Sequence, residues 1–166
     1  MEFSEAKDIF ISTWGELGCN WGICRTMGHI HALLLIHPEP LSTEDLMEEL
    51  KISRGNANMN VRALLDWELV YRRSKPGERK DYYTAEKDFW NVFKKTLKKR
   101  KQKELAPMLV MIKRISGVTE ETPESMEFKK VIGNLSSISI AADKSLDKVL
   151  NSESNLFLNA FVKIMR

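Results

Sequence analysis

The stretch SRGNANMNVR, residues 53–62, decides how the rest of the chain is read. Its spacing is helical, yet Asn56, Asn58 and Asn60 fall within it, with Arg54 and Arg62 towards its ends and Gly55 inside. Asparagine is a weak helix former because its side chain competes for nearby backbone groups. A helix that keeps three of them answers to something it touches. With Ala57 at the origin of a helical wheel, Val61 and Leu64 fall within about 40° of it, so that side is core. Gly55, Met59 and Arg62 fall opposite, and Asn56 and Asn58 lie on the two flanks. Asn60 turns toward the core flank, where it is expected to bond the backbone or a neighbouring helix.

Ser53 caps this helix, which runs to about Trp67. Before it, Ser42 or Thr43 opens a short helix that ends at Leu50 and buries Leu46 and Leu50; Glu44 and Asp45 put negative charge at its N-terminus. Two short helices joined by a three- to four-residue turn form a helix-turn-helix. Past Trp67 the period becomes strand-like: LVYRRS (69–74) and RKDYYTA (79–85) flank KPGE (75–78), a turn signal of proline then glycine. Helix, turn, helix and then a basic hairpin is the layout of a winged helix with a two-stranded wing.

A polar, non-acidic outward face at the start of the second helix is where a recognition helix meets base edges. Asparagine can bond adenine N6 and N7, and arginine guanine O6 and N7, which makes Arg54, Asn56, Asn58 and Arg62 candidate readers of double-stranded DNA. Gly55 removes a side chain where backbone could approach closely. Ser53 and the positive helix end suit a phosphate, and Ser42 and Thr43 are expected to touch phosphates from the preceding helix. Lys75, Arg79 and Lys80 surround the Pro76-Gly77 tip and can reach a minor groove or flanking phosphates. The rival reading has solvated surface asparagines and a hairpin charged to discourage edge pairing.

Charge distribution favours a polyanion. Residues 1–68 hold 5 Lys+Arg against 11 Asp+Glu, residues 69–103 hold 13 against 4, and the remainder hold 8 against 8. A net +3 therefore conceals one strongly basic block. Within it, KKTLKKRKQK (94–103) has 7 basic residues of 10, either an extension of the same footprint or the solvated face of a helix.

Around this centre the chain reads as mainly α. A helical stripe of Phe3, Ala6, Phe10, Trp14 and Leu17 opens it, weakened at its end by Gly15 and Gly18. A second helix runs from about Trp21 to Ile36, with Ile23, Met27, Ile30 and Leu34 on one face, and prolines 38 and 40 stop it. From Asp88 a long helix follows that Pro107 should kink; Gly117 to Pro123 is a loop, and helices over about 124–133, 135–150 and 153–165 close the chain. The last three carry Phe128, Ile132, Leu146, Val149, Leu150, Phe157, Phe161 and Ile164 as buried or interface positions. Three regions are expected: 1–20 as an N-terminal helix, 21–87 as the winged helix, and 88–166 as a connecting helix with a C-terminal helical region.

The runs WGICRTMGHIHALLLIHPEPLSTEDLMEEL, SRGNANMNVRALLDWELV and RSKPGERKDYYTAE resemble the GbsR branch of the MarR-type winged-helix regulators, over roughly residues 10 to 115. The resemblance implies a prokaryotic, homodimeric transcription factor whose N- and C-terminal helices form the dimer and whose winged helices bind a pseudo-palindromic operator. A repressor is the expected mode of action. By position the resemblance puts Arg54, Asn56 and Asn58 on the recognition helix and Arg79 at the wing. The related pattern ends this helix with glycine before Leu-Val, whereas Glu68 stands here, so a left-handed C-cap is not expected.

No glycine-rich phosphate loop, nucleophile elbow or His-Glu zinc motif is present, which points away from an enzyme and from a cofactor. Cys24 and His31 share a helix face, but two ligands are too few for zinc. The longest apolar run, Ala32 to Ile36, is far too short for a membrane span, and the acidic N-terminus is unlike a signal peptide, so a cytoplasmic protein is expected. Trp14, Trp21 and Trp90 could line an aromatic pocket; the resemblance would suggest a quaternary amine effector there, held by cation–π contact. Two alternatives to a DNA-binding regulator are a winged helix used only as a protein-interaction module, and an RNA-binding role.

Overall fold

The computed structural model describes residues 1–20 and 22–152. Along them run α1 (Phe3–Asn20), α2 (Arg25–Ile36), β1 (Leu41–Ser42), α3 (Thr43–Leu50), α4 (Arg54–Asp66), β2 (Val70–Ser74), β3 (Asp81–Ala85), α5 (Phe89–Arg100), a π-helical turn (Lys101–Leu105), α6 (Ala106–Ile115) and α7 (Pro123–Leu150). They form two units, one ending at Val92 and one beginning at Phe93. No described helix is long and apolar enough to cross a membrane.

In the first unit α2 is the central element, packed by α1, α3, α4 and β3. Every residue from Met27 to Leu35 except His29 is buried, so a single stripe is too narrow a description of it. The core closes around Ile30, Leu33, Leu34, Leu46, Val61, Leu64 and Val70. The helix begins at Arg25 and not at Trp21, because Cys24 has extended backbone and its sulfur accepts the Met27 N–H at 3.4 Å, capping the first turn. Trp21 lies outside the described residues.

Gly15 and Gly18 do not weaken α1, which continues to Asn20. Gly15 faces Gly28 of α2, and a Cβ on Gly28 would stand 2.8 Å from the Gly15 Cα. The missing side chains let two helix backbones meet, and the dispersion attraction of that close approach offsets the glycine penalty of about 1 kcal/mol.

The sheet has three strands, in the order β1-β3-β2, where the sequence indicated two. β1 pairs Leu41 with Tyr83 and Ser42 with Tyr82. Two residues leave no periodicity to read, yet they tie the start of the helix-turn-helix to the wing. Glu68 also departs from expectation: it adopts φ 59°, and the Leu69 N–H reaches the Leu64 carbonyl at 3.0 Å, the six-residue bond of a Schellman cap. A left-handed C-cap thus forms without glycine, at a strain of about 1 kcal/mol. Burial of Leu69 and Val70 immediately after it holds the turn.

In the second unit Pro107 sits in the first turn of α6, directly after the π-helical turn. Proline has no N–H and its ring crowds the carbonyl four residues back, and the wider turn absorbs that mismatch. Lys101 pairs with Asp143 at 3.0 Å and Asp147 at 2.5 Å on α7. The two expected helices over 124–133 and 135–150 are one, α7, which begins on a capping box of Thr122 and Ser125 and runs through Gly133. One glycine costs only about 1 kcal/mol, too little to break a helix this long. The third expected helix, with Phe157, Phe161 and Ile164, lies outside the described residues. Val110, Val131 and Ile138 leave apolar surface exposed on α6 and α7.

Candidate nucleic-acid interface

The start of α4 is built as an open polar surface. Ser53 caps it by accepting the Asn56 N–H at 3.3 Å, while Ala57, Val61 and Leu64 anchor its other side in the core. Arg54, Gly55, Met59 and Arg62 are exposed, and Asn56 and Asn58 are half-buried on the flanks, as the wheel requires. A Cβ added to Gly55 would meet nothing within 4 Å. Nothing among the described residues demands glycine there.

Arg54 is not idle. Its guanidinium lies 2.8 Å from Glu44 of α3, with both side chains well exposed. The Glu44 carboxyl is held below its usual range, first by backbone N–H at the helix start and then by Arg54. Ion pairs this exposed contribute little to stability, so Arg54 can exchange Glu44 for another partner at small cost.

Ser42 and Thr43 are placed differently from the expectation that both touch phosphate. Both are buried. The Ser42 hydroxyl donates to Asp45 Oδ2 at 2.8 Å and accepts the Asp45 N–H at 3.2 Å, while the Ser42 N–H donates to the same carboxylate at 2.7 Å. That closed capping box keeps Asp45 ionised, chiefly through the Ser42 backbone N–H. Thr43 Oγ1 contacts Asn58 Oδ1 at 3.4 Å, joining α3 to α4. These two hydroxyls shape the helix pair from beneath its surface.

Asn60 is 3% exposed and makes both kinds of bond anticipated for it. Its Nδ2 donates to the Asn56 carbonyl at 2.8 Å and to Asn56 Oδ1 at 2.7 Å, and its Oδ1 accepts from the Cys24 thiol at 2.9 Å. The sequence pattern did not place Asn60 or Cys24 in the site. The only signal was Asn60 standing on the apolar side of the wheel.

The wing presents its charge around a tight turn. Gly77 has φ 82° after Pro76, and the Glu78 N–H reaches the Lys75 carbonyl at 3.1 Å, which is type II geometry. Lys75 Nζ lies 4.1 Å from the centre of the Tyr82 ring. The Tyr82 hydroxyl donates to Glu78, which pushes its pKa up to about 12. Arg79 and Lys80 are exposed to solvent. Arg72 and Arg73 are exposed on β2 as well, Arg72 3.4 Å from Asp81 and Arg73 over the Tyr71 ring. A position inside a strand, away from the tip, hides these two from a reading of local sequence.

Trp14 donates its indole N–H to His31 Nδ1 at 3.2 Å and packs against Phe10 and Phe89, so its ring is occupied by protein. Trp90 is half-buried on α5, and Trp21 is outside the described residues. Trp14 is half-buried and packs against the edge of the core.

Comparison with known proteins agrees with this geometry. Residues 22–81 match the model of the MarR family. Over 89 residues the chain is 29% identical to the HTH-type transcriptional repressor GbsR of Bacillus subtilis (strain 168), covering 54% of this chain and 49% of that protein. It is 24% identical over 88 residues to the HTH-type transcriptional repressor OpcR of the same organism, covering 53% and 48%. The chain thus spans about half the length of the curated relatives it matches. A crystal structure described as a transcriptional regulator has the same fold, with a TM-score of 0.68 at 17% identity over 87% of this chain and 95% of that one. Residues 22–81, from just before the α2 cap to the start of β3, are a MarR-family domain.

Proposed function

We propose that this chain is a sequence-specific double-stranded DNA-binding regulator of transcription of the GbsR type, acting as a homodimeric repressor on a pseudo-palindromic operator. The observation that carries the reading is the polar start of α4, where Arg54, Gly55 and Arg62 are exposed and Asn56 and Asn58 flank them half-buried, within a MarR-family domain. In this reading that face enters the major groove, where arginine and asparagine read base edges. Ser53 and the positive end of α4 meet a phosphate. Lys75, Arg79 and Lys80, joined by Arg72 and Arg73, hold the backbone or minor groove and carry most of the salt dependence. Exposed apolar residues on α1 and on α6 and α7 supply surface for a second copy, as an oligomer interface would need. Two of the three matched relatives are named as repressors and the third only as a regulator, which supports the direction of regulation.

The test is binding of the full chain to its own upstream DNA and to unrelated DNA across a salt series. A preference of about a thousandfold, with affinity falling steeply with salt, is expected. Arg54→Ala should lose about 1–3 kcal/mol on the preferred site and relax one base position. Equal, weak binding to both DNAs would instead favour a winged helix used for protein contacts.

A further inference from the structure

We infer that Asn60 and Cys24 are positioning residues that fix which way the Asn56 amide faces, and thereby what Asn56 can read. This rests on α4 being the DNA-reading helix, and its starting point is a set of hydrogen bonds whose donor and acceptor roles are forced in sequence. A backbone carbonyl can only accept, so the Asn60 atom 2.8 Å from the Asn56 carbonyl is Nδ2. That nitrogen also lies 2.7 Å from the Asn56 side chain, where its second hydrogen needs an acceptor, which makes that atom Oδ1. Asn60 Oδ1 is then left facing the Cys24 sulfur at 2.9 Å and needs a donor, so the thiol carries its proton. The same sulfur caps α2 by accepting the Met27 N–H.

The chain of bonds thus runs from the N-cap of the central helix to a half-buried side chain on the reading face. Its consequence is an Asn56 amide with Oδ1 engaged by Asn60 and Nδ2 without a partner among the described residues. An Nδ2 left without a partner seeks an acceptor: N7 of a purine, O6 of guanine or O4 of thymine. The second lone pair on Oδ1 leaves two-point adenine recognition open, and the reversed amide, which would favour the cytosine N4 donor, is excluded. Asn58 lacks this constraint. Its Oδ1 meets the Thr43 hydroxyl, which can rotate to donate or accept and so does not decide the amide's direction. The three asparagines therefore divide into one that is aimed, one that can turn and one that aims.

The experiment uses the full chain on its selected site and on single-base-pair variants of that site, with binding measured in competition. Asn60→Asp would set a carboxylate against two oxygens in a buried place and is expected not to fold, so Cys24 bears the test. Asn56→Ala should lose discrimination at one base pair by about tenfold. Cys24→Ala, which removes the thiol donor, should lose about three- to tenfold at that same base pair while binding unrelated DNA like the parent. Cys24→Ser, whose hydroxyl can donate and accept, should restore the discrimination, and a thermal melt of each variant reports the cap separately. In an Asn56→Ala background, changing Cys24 should do nothing further to base preference, because the route to it is gone. Unchanged discrimination in Cys24→Ala, or a uniform loss at every position, overturns the inference while leaving the recognition helix in place if Asn56→Ala still loses its base pair. A parent protein that discriminates no sequence at all overturns the proposed function, and this inference with it.

Discussion

At the α1–α2 crossing a methyl group added to Gly28 would lie 2.8 Å from the Gly15 Cα, whereas at the start of α4 a methyl added to Gly55 would meet nothing within 4 Å. The polar groups of the two regions differ in the same way. His31 at the crossing is 3% exposed, takes the Trp14 N–H on one ring nitrogen, and has its other nitrogen buried without a partner among the described residues. On α4, Arg62 is exposed, Arg54 is exposed beside Glu44, and the Asn56 Nδ2 has no partner among the described residues. One region uses glycine and polar side chains for internal fit. The other ties its polar groups only partly into the fold and leaves Gly55, Arg62 and the Asn56 Nδ2 uncommitted, as a surface kept for an outside partner would.

The largest expected effect that could break this contrast is on His31. Burial lowers its pKa from 6.5 to about 4, so the folded protein keeps the ring neutral while the unfolded chain takes up a proton below about pH 6.5. Stability is full above that pH and falls as pH drops toward 4, by about 3 kcal/mol across the window. Denaturant titrations at stepped pH should show this slope, and His31→Gln should flatten it. An unchanged slope in the variant would mean that the crossing is more hydrated than its packing indicates.

Next is Gly28→Ala, expected to cost about 1–3 kcal/mol because the added methyl meets backbone and the helices must part. Urea midpoints would measure it. Gly55→Ala should behave oppositely: stability rises by about 0.5–1 kcal/mol from better helix propensity, while DNA affinity falls because the backbone no longer approaches as closely. A variant that is both more stable and equally tight would remove the reason given for glycine there. The smallest effect is at the helix end, where Glu68→Gly relieves the left-handed backbone and should add up to about 1 kcal/mol in a thermal melt.

Much of α4 was legible before any coordinates. The 3.6-residue period separated Ala57, Val61 and Leu64 from Gly55, Met59 and Arg62, and the structure keeps that division. The wing turn was legible for the same local reason, since Pro76-Gly77 dictates its own backbone. Other features were hidden because their causes are distant in sequence. Arg54 and Glu44 are ten positions apart and meet only when α3 and α4 cross. Cys24 reaches Asn60 only because α2 and α4 pack together. Ser42 and Thr43 were read from their capping chemistry, and the same chemistry, once β1 pairs with β3, draws them beneath the surface.

By itself the sequence determined the helix-turn-helix and its hairpin, because periodicity, capping residues and turn residues act over a few neighbours. It also determined where basic charge gathers, since that is a count along the chain. Tertiary structure alone decided which polar groups stay available. Gly15 and Gly28 became a close contact, Glu68 took a backbone that glycine usually fills, and Asn60 became a buried support for Asn56. Each of these depends on what another element brings within hydrogen-bond or van der Waals distance, and local sequence carries no record of that.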